Sequence, residues 1–155
     1  MQAILILHDI RSAQNVGSLF RTADAVGISK IYLSYITPSP IDRFGRKRND
    51  IAKTALGAQE NVPWESYSDI LSIIKKYKEQ GYFVVAIEQS KGSTDYKKIK
   101  STEKMVFILG NEVEGLPKNV LDAVDAVAEI PMAGEKESLN VSVAGGIALF
   151  RILDK

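Results

Sequence analysis

Short apolar runs, separated by segments with helical periodicity, constrain the fold of this 155-residue chain more than any other feature. Five of these runs are predicted strands, at residues 3–7, 31–33, 82–87, 104–109 and 126–130. Each is apolar at consecutive rather than alternate positions, which is typical of parallel strands buried on both faces. Strands that alternate with helices predict an α/β fold, with a mainly parallel sheet and helices on both faces.

Several helices are predicted from apolar spacing and from capping residues. Between the first two strands, apolar residues recur at helical spacing at Val16, Leu19, Phe20, Ala23 and Val26. Asn15 is predicted to cap the first turn of this helix. Ser68 is predicted to cap a later helix that ends at Gly81, and a last helix is expected over residues 140–153. Residues 35–48, which contain proline and glycine, are predicted to form a loop.

Composition limits the kinds of site that this chain can build. The sequence has no cysteine and one histidine, His8, which excludes disulfides, thiol catalysis and a Cys/His zinc site. Hydrophobic residues at 45% and charged residues at 25% are ordinary for a globular domain, so a single domain is expected. No apolar run is long enough to cross a bilayer and no secretory signal is evident. A cytoplasmic protein without a membrane partner is therefore expected.

Charge is distributed so that any affinity for nucleic acid must be local. The formal net charge is only +1, whereas many nucleic-acid-binding domains are strongly basic. The densest basic cluster consists of Arg43, Arg46, Lys47 and Arg48, within the predicted loop. On charge alone, a solvated loop is the more common explanation of such a cluster.

Polar and glycine residues gather after four of the predicted strands, at residues 9–17, 88–93, 110–115 and 131–140. Ligands of open parallel sheets bind at the carboxyl ends of the strands, so these four segments are candidates for one site. The familiar nucleotide motifs GxGxxG and GxxxxGK[ST] are missing, as is the GxSxG motif of hydrolases. The chemistry must come from other motifs.

Three segments carry a family resemblance. In chain order they are NVGSLFRTADAVG at residues 15–27, FILGNEVEGLP at residues 107–117 and IPMAGEKESLNVSVAGGIALF at residues 130–150. In order and spacing they resemble the three motifs of the SpoU family, the TrmH-like group within the SPOUT superfamily of RNA methyltransferases. Each motif alone is weak, because a capped helix or an ordinary turn accounts for it. Together they extend the resemblance over nearly the whole chain.

The resemblance implies both a fold and an activity. The implied fold is a Rossmann-like domain whose C-terminal part is tied in a deep trefoil knot. The implied activity is transfer of a methyl group from S-adenosylmethionine to a ribose 2′-hydroxyl in tRNA or rRNA, without a metal. Members of the family work as homodimers with active sites near the subunit interface. Residues 1–155 are expected to form one methyltransferase domain without a separate RNA-binding extension.

The resemblance also assigns roles to individual residues. Arg21 is the candidate catalytic residue, supported by Asn15, and Glu112 is expected to organise the pocket and the interface. The residues expected to bind the cofactor are Ile87, Leu109, Gly110, Gly115, Ile130, Met132, Ser138, Leu139 and Asn140. His8 receives no role, since a locally hydrogen-bonded loop residue is the simpler explanation for it.

The role of Arg21 has two versions. A guanidinium remains protonated in nearly all protein settings, so a literal arginine base is physically demanding. The preferred version has Arg21 bind the target phosphate and the 2′-oxygen through charge-assisted hydrogen bonds, with a phosphate oxygen accepting the proton. The sequence leaves both versions open.

Three alternative functions remain at this point. A knotted methyltransferase acting on an RNA base is the nearest, although the absence of cysteine removes the thiol-adduct route to pyrimidine C5. A flavodoxin-like flavin-binding domain has a similar length, but the segment after the first strand lacks a Ser/Thr-rich phosphate loop. A non-catalytic RNA-binding relative is disfavoured because the motif residues Asn15, Arg21, Glu112, Ser138 and Asn140 are all present.

The last predicted helix has an unusually small-sided surface, formed by Ser142, Ala144, Gly145, Gly146 and Ala148. An interior glycine costs a helix about 1 kcal/mol relative to alanine, so two in succession indicate that something approaches closely. Packing on the chain's own sheet, a knot crossing and a partner helix each satisfy this requirement.

Overall fold

A computed structural model describes all 155 residues and contains one seven-stranded sheet. Its strands are β1 (Gln2–Leu7), β2 (Lys30–Ser34), β3 (Trp64–Tyr67), β4 (Phe83–Ile87), β5 (Thr94–Asp95), β6 (Lys104–Leu109) and β7 (Ala126–Glu129). The strand order is β3-β2-β1-β6-β4-β7-β5, and every neighbouring pair is parallel. The predicted α/β fold with a parallel sheet is confirmed.

Helices cover both faces of the sheet. They are α1 (Ala13–Val26), α2 (Asn49–Ala55), α3 (Ala58–Asn61), α4 (Ile70–Glu79), α5 (Lys118–Ala123) and α6 (Val141–Leu153), with a 3₁₀ turn at Tyr96–Lys98. Residues of α1, α2, α3 and α6 share one apolar cluster with the sheet, and residues of α4 and α5 belong to the other. No helix is both long and apolar enough to cross a membrane.

The two central strands, β1 and β6, supply side chains to both apolar clusters. In β1, Leu5 and Leu7 face α1 and α6, whereas Ile4 and Ile6 face α4 and α5. In β6, Phe107 contributes to the α1/α6 side. Full burial of one such side chain stabilises the fold by about 1.5–3 kcal/mol. The consecutive apolar runs of the sequence follow from this burial on both faces.

Two helix caps differ from the predicted ones. Ser12, rather than Asn15, caps α1, and its side chain accepts a hydrogen bond from the Asn15 backbone N–H at 3.2 Å. The helix thus begins before Asn15, which leaves the Asn15 side chain available for other contacts. Asp69, rather than Ser68, caps α4 and accepts from the Leu71 N–H at 3.0 Å. Both predictions were wrong because a neighbouring residue offers an equally good acceptor.

Two strands and one short helix were not predicted. β3 and β5 are the edge strands of the sheet and are only four and two residues long. α3 has four residues. None of these three elements carries a clear apolar run or periodicity in the sequence, and the two strands form by pairing with β2 and β7.

The small-sided surface of α6 packs partly within the chain. A Cβ added at Gly145 would lie 2.7 Å from Leu19 Cδ2 and 2.8 Å from Leu109 Cδ1, so α6 requires glycine there to approach α1 and β6. At Gly146 the nearest atom, Thr22 Cγ2, would be 4.0 Å away. The close approach at Gly145 is thus explained by the chain's own packing. The trefoil knot stays a prediction, and the insertion of β6 between β1 and β4 is consistent with it.

Gly17 generates a testable prediction about the packing of α1 on α2. A Cβ at this buried position would overlap Thr54 Oγ1 and lie 2.5 Å from the Ile51 carbonyl oxygen. Although alanine favours helices over glycine, we expect Gly17→Ala to lower the free energy of unfolding by about 1–3 kcal/mol, the usual cost of overpacking. Urea unfolding measures the change. Gly134→Ala is the control because its added Cβ meets nothing within 4 Å; a Gly17→Ala variant as stable as the parent would contradict the packing.

Candidate active site at the carboxyl edge of the sheet

A pocket opens where β4, β6 and β7 end and α6 begins. It is lined by Ile87, Glu88, Gln89, Leu109, Gly110, Asn111, Glu112, Glu129, Ile130, Met132, Ser138, Leu139, Val141 and Ala144. Parallel strands bring their carboxyl ends to the same edge, so segments far apart in sequence meet there. The pocket lies where the polar segments of the sequence predicted a ligand site.

Most of the residues expected to bind the cofactor line this pocket. They are Ile87, Leu109, Gly110, Ile130, Met132, Ser138 and Leu139. Two of the expected residues do not line it. Gly115 lies within the loop that follows β6 and packs against the Glu88 carboxylate, and Asn140 caps α6 by accepting a hydrogen bond from the Ser142 N–H at 2.9 Å.

The carboxylate of Glu112 joins the loop after β6 to the start of α1. Its oxygens accept hydrogen bonds from the backbone N–H of Arg11 at 3.1 Å and from that of Ser12 at 3.1 Å. The Asn15 side-chain amide donates a third, at 3.2 Å to Glu112 Oε1. Arg11 and Ser12 belong to the connection between β1 and α1, and Asn15 to the first turn of α1. Glu112 therefore holds the first and second motifs together.

Asn15 extends this connection to the third motif. Its side-chain oxygen accepts a hydrogen bond from Asn140 Nδ2 at 3.1 Å. The Asn140 oxygen in turn accepts from Ser142 Oγ at 2.6 Å. Glu112, Asn15 and Asn140 thus form a continuous chain of hydrogen bonds at one side of the pocket. Each of the three predicted motifs contributes one member of that chain.

The hydrogen bonds to Glu112 determine its charge state. Partial burial favours the neutral carboxyl, but the N–H groups of Ser12 and Arg11 and the Asn15 amide favour the ionised form, and the pKa of Glu112 lies below its usual value. A carboxylate with a lowered pKa is a weak proton acceptor at neutral pH. Its geometry and charge suit a residue that holds the neighbouring backbone in place.

A second carboxylate supports the loop after β6 from the opposite side. Glu88 Oε2 accepts a hydrogen bond from the Leu116 N–H at 3.0 Å. Gly115, with a φ of +68°, lies directly against this carboxylate, where any side chain would collide with it. A Cβ at Gly110 would also lie 2.7 Å from Leu116 Cγ. The loop is therefore closely packed, and its glycines have a steric explanation.

The pocket combines apolar walls with acidic side chains. The apolar walls come mainly from Leu109, Ile130, Met132 and Leu139, and the acidic residues are Glu88, Glu112 and Glu129. Apolar walls with a few placed polar groups are typical of small-molecule sites. Carboxylates at such a site favour a ligand that carries positive charge.

Arg21 does not line this pocket. It lies on the exposed side of α1. Val16, Leu19, Phe20 and Ala23 form the buried side of the same helix. Within one chain, Glu112 and Asn15 therefore lie beside the residues expected to bind the cofactor. Arg21 does not.

Several pocket-lining residues at this edge were not predicted individually from the sequence. Glu88, Asn111 and Glu129 line the pocket, and their positions at the ends of β4, β6 and β7 were the available signal. Asn111 Nδ2 donates a 2.7 Å hydrogen bond to the Asp9 carbonyl, so β1 and β6 are also linked beyond their last pairs. Asp9 has a φ of 57°, which no sequence pattern had indicated.

His8 lies at the same edge but outside the pocket. Its Nδ1 is 2.6 Å from Tyr67 Oη, and burial lowers the pKa of the imidazole, while nearby Asp9 partly opposes this effect. A half-buried histidine with a local partner agrees with the structural explanation that the sequence favoured.

Comparison with known proteins identifies the family. The model of the SpoU rRNA Methylase family matches residues 2–150. A protein of Staphylococcus aureus (strain MSSA476), assigned to the TrmH family of tRNA/rRNA methyltransferases, is 30% identical over 155 residues, which is 100% of this chain and 60% of that protein. The chain thus spans about 60% of the length of the curated relatives it matches.

Solved structures agree with this result. The A. aeolicus TrmH/SpoU tRNA modifying enzyme superposes with a TM-score of 0.85 at 26% identity, over 99% of this chain and 74% of that one. An AdoMet-bound rRNA methyltransferase from Sinorhizobium meliloti superposes with a TM-score of 0.86 at 32% identity, over 97% of this chain and 55% of that one. With its parallel sheet, its three linked motifs and a family match over nearly its full length, the chain belongs to the SpoU rRNA methylase family.

Proposed function

We propose that this protein transfers a methyl group from S-adenosylmethionine to the 2′-hydroxyl of a ribose in tRNA or rRNA. The observation that carries the proposal is the hydrogen-bonded chain of Glu112, Asn15 and Asn140, which joins the three family motifs beside one pocket. The similar S. meliloti rRNA methyltransferase is known with AdoMet bound, which supports the same cofactor here.

The pocket residues suit this cofactor. Bound S-adenosylmethionine supplies an electrophilic methyl group on a positively charged sulfonium. The carboxylates of Glu88, Glu112 and Glu129 complement a positive charge, and the apolar walls exclude water from an adenosine. Gly110 and Asn111, at the start of the loop after β6, line the pocket, so their backbone groups are candidates for hydrogen bonds to the bound cofactor. No metal is part of the proposal.

The acceptor requires a different kind of help. A ribose hydroxyl holds its proton firmly at neutral pH, so the site must assist its removal or stabilise the alkoxide that develops. Arg21 is the proposed catalytic residue, with its guanidinium donating to the 2′-oxygen and to the adjacent phosphate. The phosphate oxygen then accepts the proton. Glu112 and Asn15 orient the segment of chain that leads into α1.

We further propose that the enzyme is a homodimer in which Arg21 serves the pocket of the partner subunit. Exposed apolar residues form a stripe along α6, at Val143, Ile147 and Phe150. An exposed apolar stripe of this kind is typical of a helix face that packs against a second copy of the chain. The position of Arg21 outside its own pocket supports a contribution across such an interface.

Cofactor binding is the first test of the proposal. Isothermal titration of the purified protein with S-adenosylmethionine in metal-free buffer should show binding. Gly110→Val should weaken it by about 1–3 kcal/mol, because its side chain would displace Leu116 and the loop. Lys75→Ala on α4 is the control, since Lys75 is exposed and does not line the pocket. Absence of heat from a folded sample would contradict the cofactor assignment.

Substitution of Arg21 tests the acceptor chemistry. Arg21→Ala should slow methyl transfer to bulk RNA roughly a hundredfold to a thousandfold, the usual effect of removing one donor to a developing oxyanion. Cofactor affinity should change little. Lys75→Ala, which removes an exposed cation from α4, is the matched control and should leave the rate unchanged.

Arg21→Lys distinguishes a point charge from a planar two-point contact. Near-normal turnover of this variant would rule out the bidentate contact, and full activity of Arg21→Ala would remove Arg21 from the mechanism. Nucleoside analysis of the product separates ribose methylation from base methylation, the nearest alternative function.

The homodimer is tested by sedimentation, which should give twice the chain mass. Ile147→Asp should produce monomers, because the interface would bury an unpaired carboxylate. Leu71→Asp is the control, since Leu71 is exposed to a similar extent on α4. If the Ile147→Asp variant remained dimeric, α6 would be excluded as the interface.

Mixing two impaired variants, assayed at a cofactor concentration too low to load the Gly110→Val pocket, tests whether the site is shared. If Arg21 acts on the partner's pocket, Arg21→Ala mixed with Gly110→Val regains activity, because each mixed dimer contains one intact site. Random exchange should restore about a quarter of the sites in such a two-fold dimer. No recovery, with exchange verified, would indicate that Arg21 acts within its own subunit.

A further inference from the structure

The loop between β2 and α2 contains an ordered turn, and the exposed tip of this turn is aromatic and basic. We define the tip by Arg43, Phe44 and Arg46. The Phe44 side chain is 65% exposed, although solvent exposure of a large aromatic ring is unfavourable. Arg43 Cζ lies 4.8 Å from the centre of the ring and Arg46 Cζ lies 5.0 Å from it. The part of the ring that stays exposed is a surface on which a nucleobase can stack, and the two guanidinium groups beside it can bind the flanking phosphates.

The tip is held in shape by Asp42. Its Oδ1 accepts hydrogen bonds from the Phe44 N–H at 2.8 Å and the Arg46 N–H at 2.9 Å. The Gly45 N–H donates to the Asp42 carbonyl at 3.0 Å, which closes the turn. An antiparallel bridge between Ile41 and Lys47 joins the two arms of the loop. Phe44 is therefore presented by an ordered turn, and ligand binding would not have to order the segment.

The base of the loop is connected to the candidate active site. The buried Thr37 hydroxyl accepts from the Ile10 N–H at 3.1 Å and donates to the Leu7 carbonyl at 3.3 Å. Ser34 Oγ accepts from the Asp9 N–H at 2.9 Å. Residues 7–10 lead directly to Arg11 and Ser12, whose N–H groups bind Glu112. The loop thus leaves the same edge of the sheet as the pocket.

Charge identifies the class of partner. Residues 35–48 contain four basic residues and one acidic residue, whereas the whole chain has a net charge of only +1. Arg46, Lys47 and Arg48 are paired with Asp42, Glu60 and Asp50, respectively. Arg43 has no carboxylate within 4.0 Å and is the unpaired cation of the tip. Tyr35, which is 75% exposed, lines the same shallow depression as Phe44 and Trp64. Several aromatic rings beside unpaired positive charge favour nucleic acid over a protein partner.

We propose that the tip formed by Arg43, Phe44 and Arg46 is a stacking platform for an unpaired base of single-stranded RNA. This inference rests on the RNA-directed function proposed above and adds a surface outside the cofactor pocket. A base stacks on the exposed Phe44 ring, and the flanking phosphates bind the guanidinium groups. An RNA loop held there is positioned on the same edge of the sheet as the pocket.

The experiment measures binding of a labelled single-stranded oligouridine by fluorescence anisotropy, with an RNA duplex of equal length for comparison. Phe44→Ala should weaken binding of the single strand roughly five- to a hundredfold, the range for loss of one aromatic stacking contact. Phe44→Trp should retain binding, whereas Phe44→Leu, which keeps bulk but loses the ring, should behave like Phe44→Ala.

Arg43→Ala should reduce the slope of log affinity against log salt concentration by roughly one, because one phosphate contact is lost. Lys75→Ala on α4 is the matched control and should leave the slope unchanged. Cofactor binding should be the same in every variant. In methylation of bulk RNA, Phe44→Ala should raise KM more than it lowers kcat, since the platform lies away from the reacting atoms.

Several results would overturn the platform. One is that the Phe44→Ala variant binds oligouridine as tightly as the parent protein. Another is equal affinity of the parent protein for the duplex. A third is dissociation of the dimer in Phe44→Ala, which would make the tip a contact between copies. If the parent protein binds oligouridine through Phe44 but methylates no RNA, the proposed function fails and the platform remains.

Discussion

The position of β6 between β1 and β4 is the constraint on which the rest of the structure depends. Six consecutive residue pairs join β1 to β6, and the His8 N–H donates to the Leu109 carbonyl at 2.8 Å just beyond them. This pairing brings the loop after β6 to the start of α1. Without it, Glu112 could not reach the backbone N–H groups of Arg11 and Ser12, which lie about a hundred residues earlier.

Side chains that link backbone segments have a larger part in this site than side chains suited to proton transfer. Glu112, Glu88 and Asn111 each bind backbone groups of a neighbouring segment, and these bonds define the loop that borders the pocket. A carboxylate that accepts several N–H bonds stays ionised, so its value to the site lies in geometry and charge. The proposed mechanism therefore assigns the acceptor chemistry to Arg21, the candidate that the family resemblance implies.

The division of tasks in the proposal follows from the layout of the sheet. The ends of β4, β6 and β7 form the cofactor pocket, whereas the loop after β2 carries the proposed RNA platform. Both lie at the carboxyl edge and are joined through residues 7–12 by hydrogen bonds of 2.9–3.3 Å. Substrate binding and methyl donation are thus assigned to separate loops on one rigid edge, which agrees with the general use of parallel sheets.

The α/β class, five of the seven strands and most of the pocket-lining residues could be predicted from the sequence, because apolar runs and three family motifs are local signals. The sequence could not determine which residue caps α1, since Ser12 and Asn15 are both acceptable caps and only the start of the helix decides between them. The short edge strands β3 and β5 and the partners of Glu88, Glu112 and Asn140 were decided by tertiary structure alone. Each depends on contacts between segments far apart in the chain, and the order of strands in the sheet, which no local pattern encodes, brings those segments together.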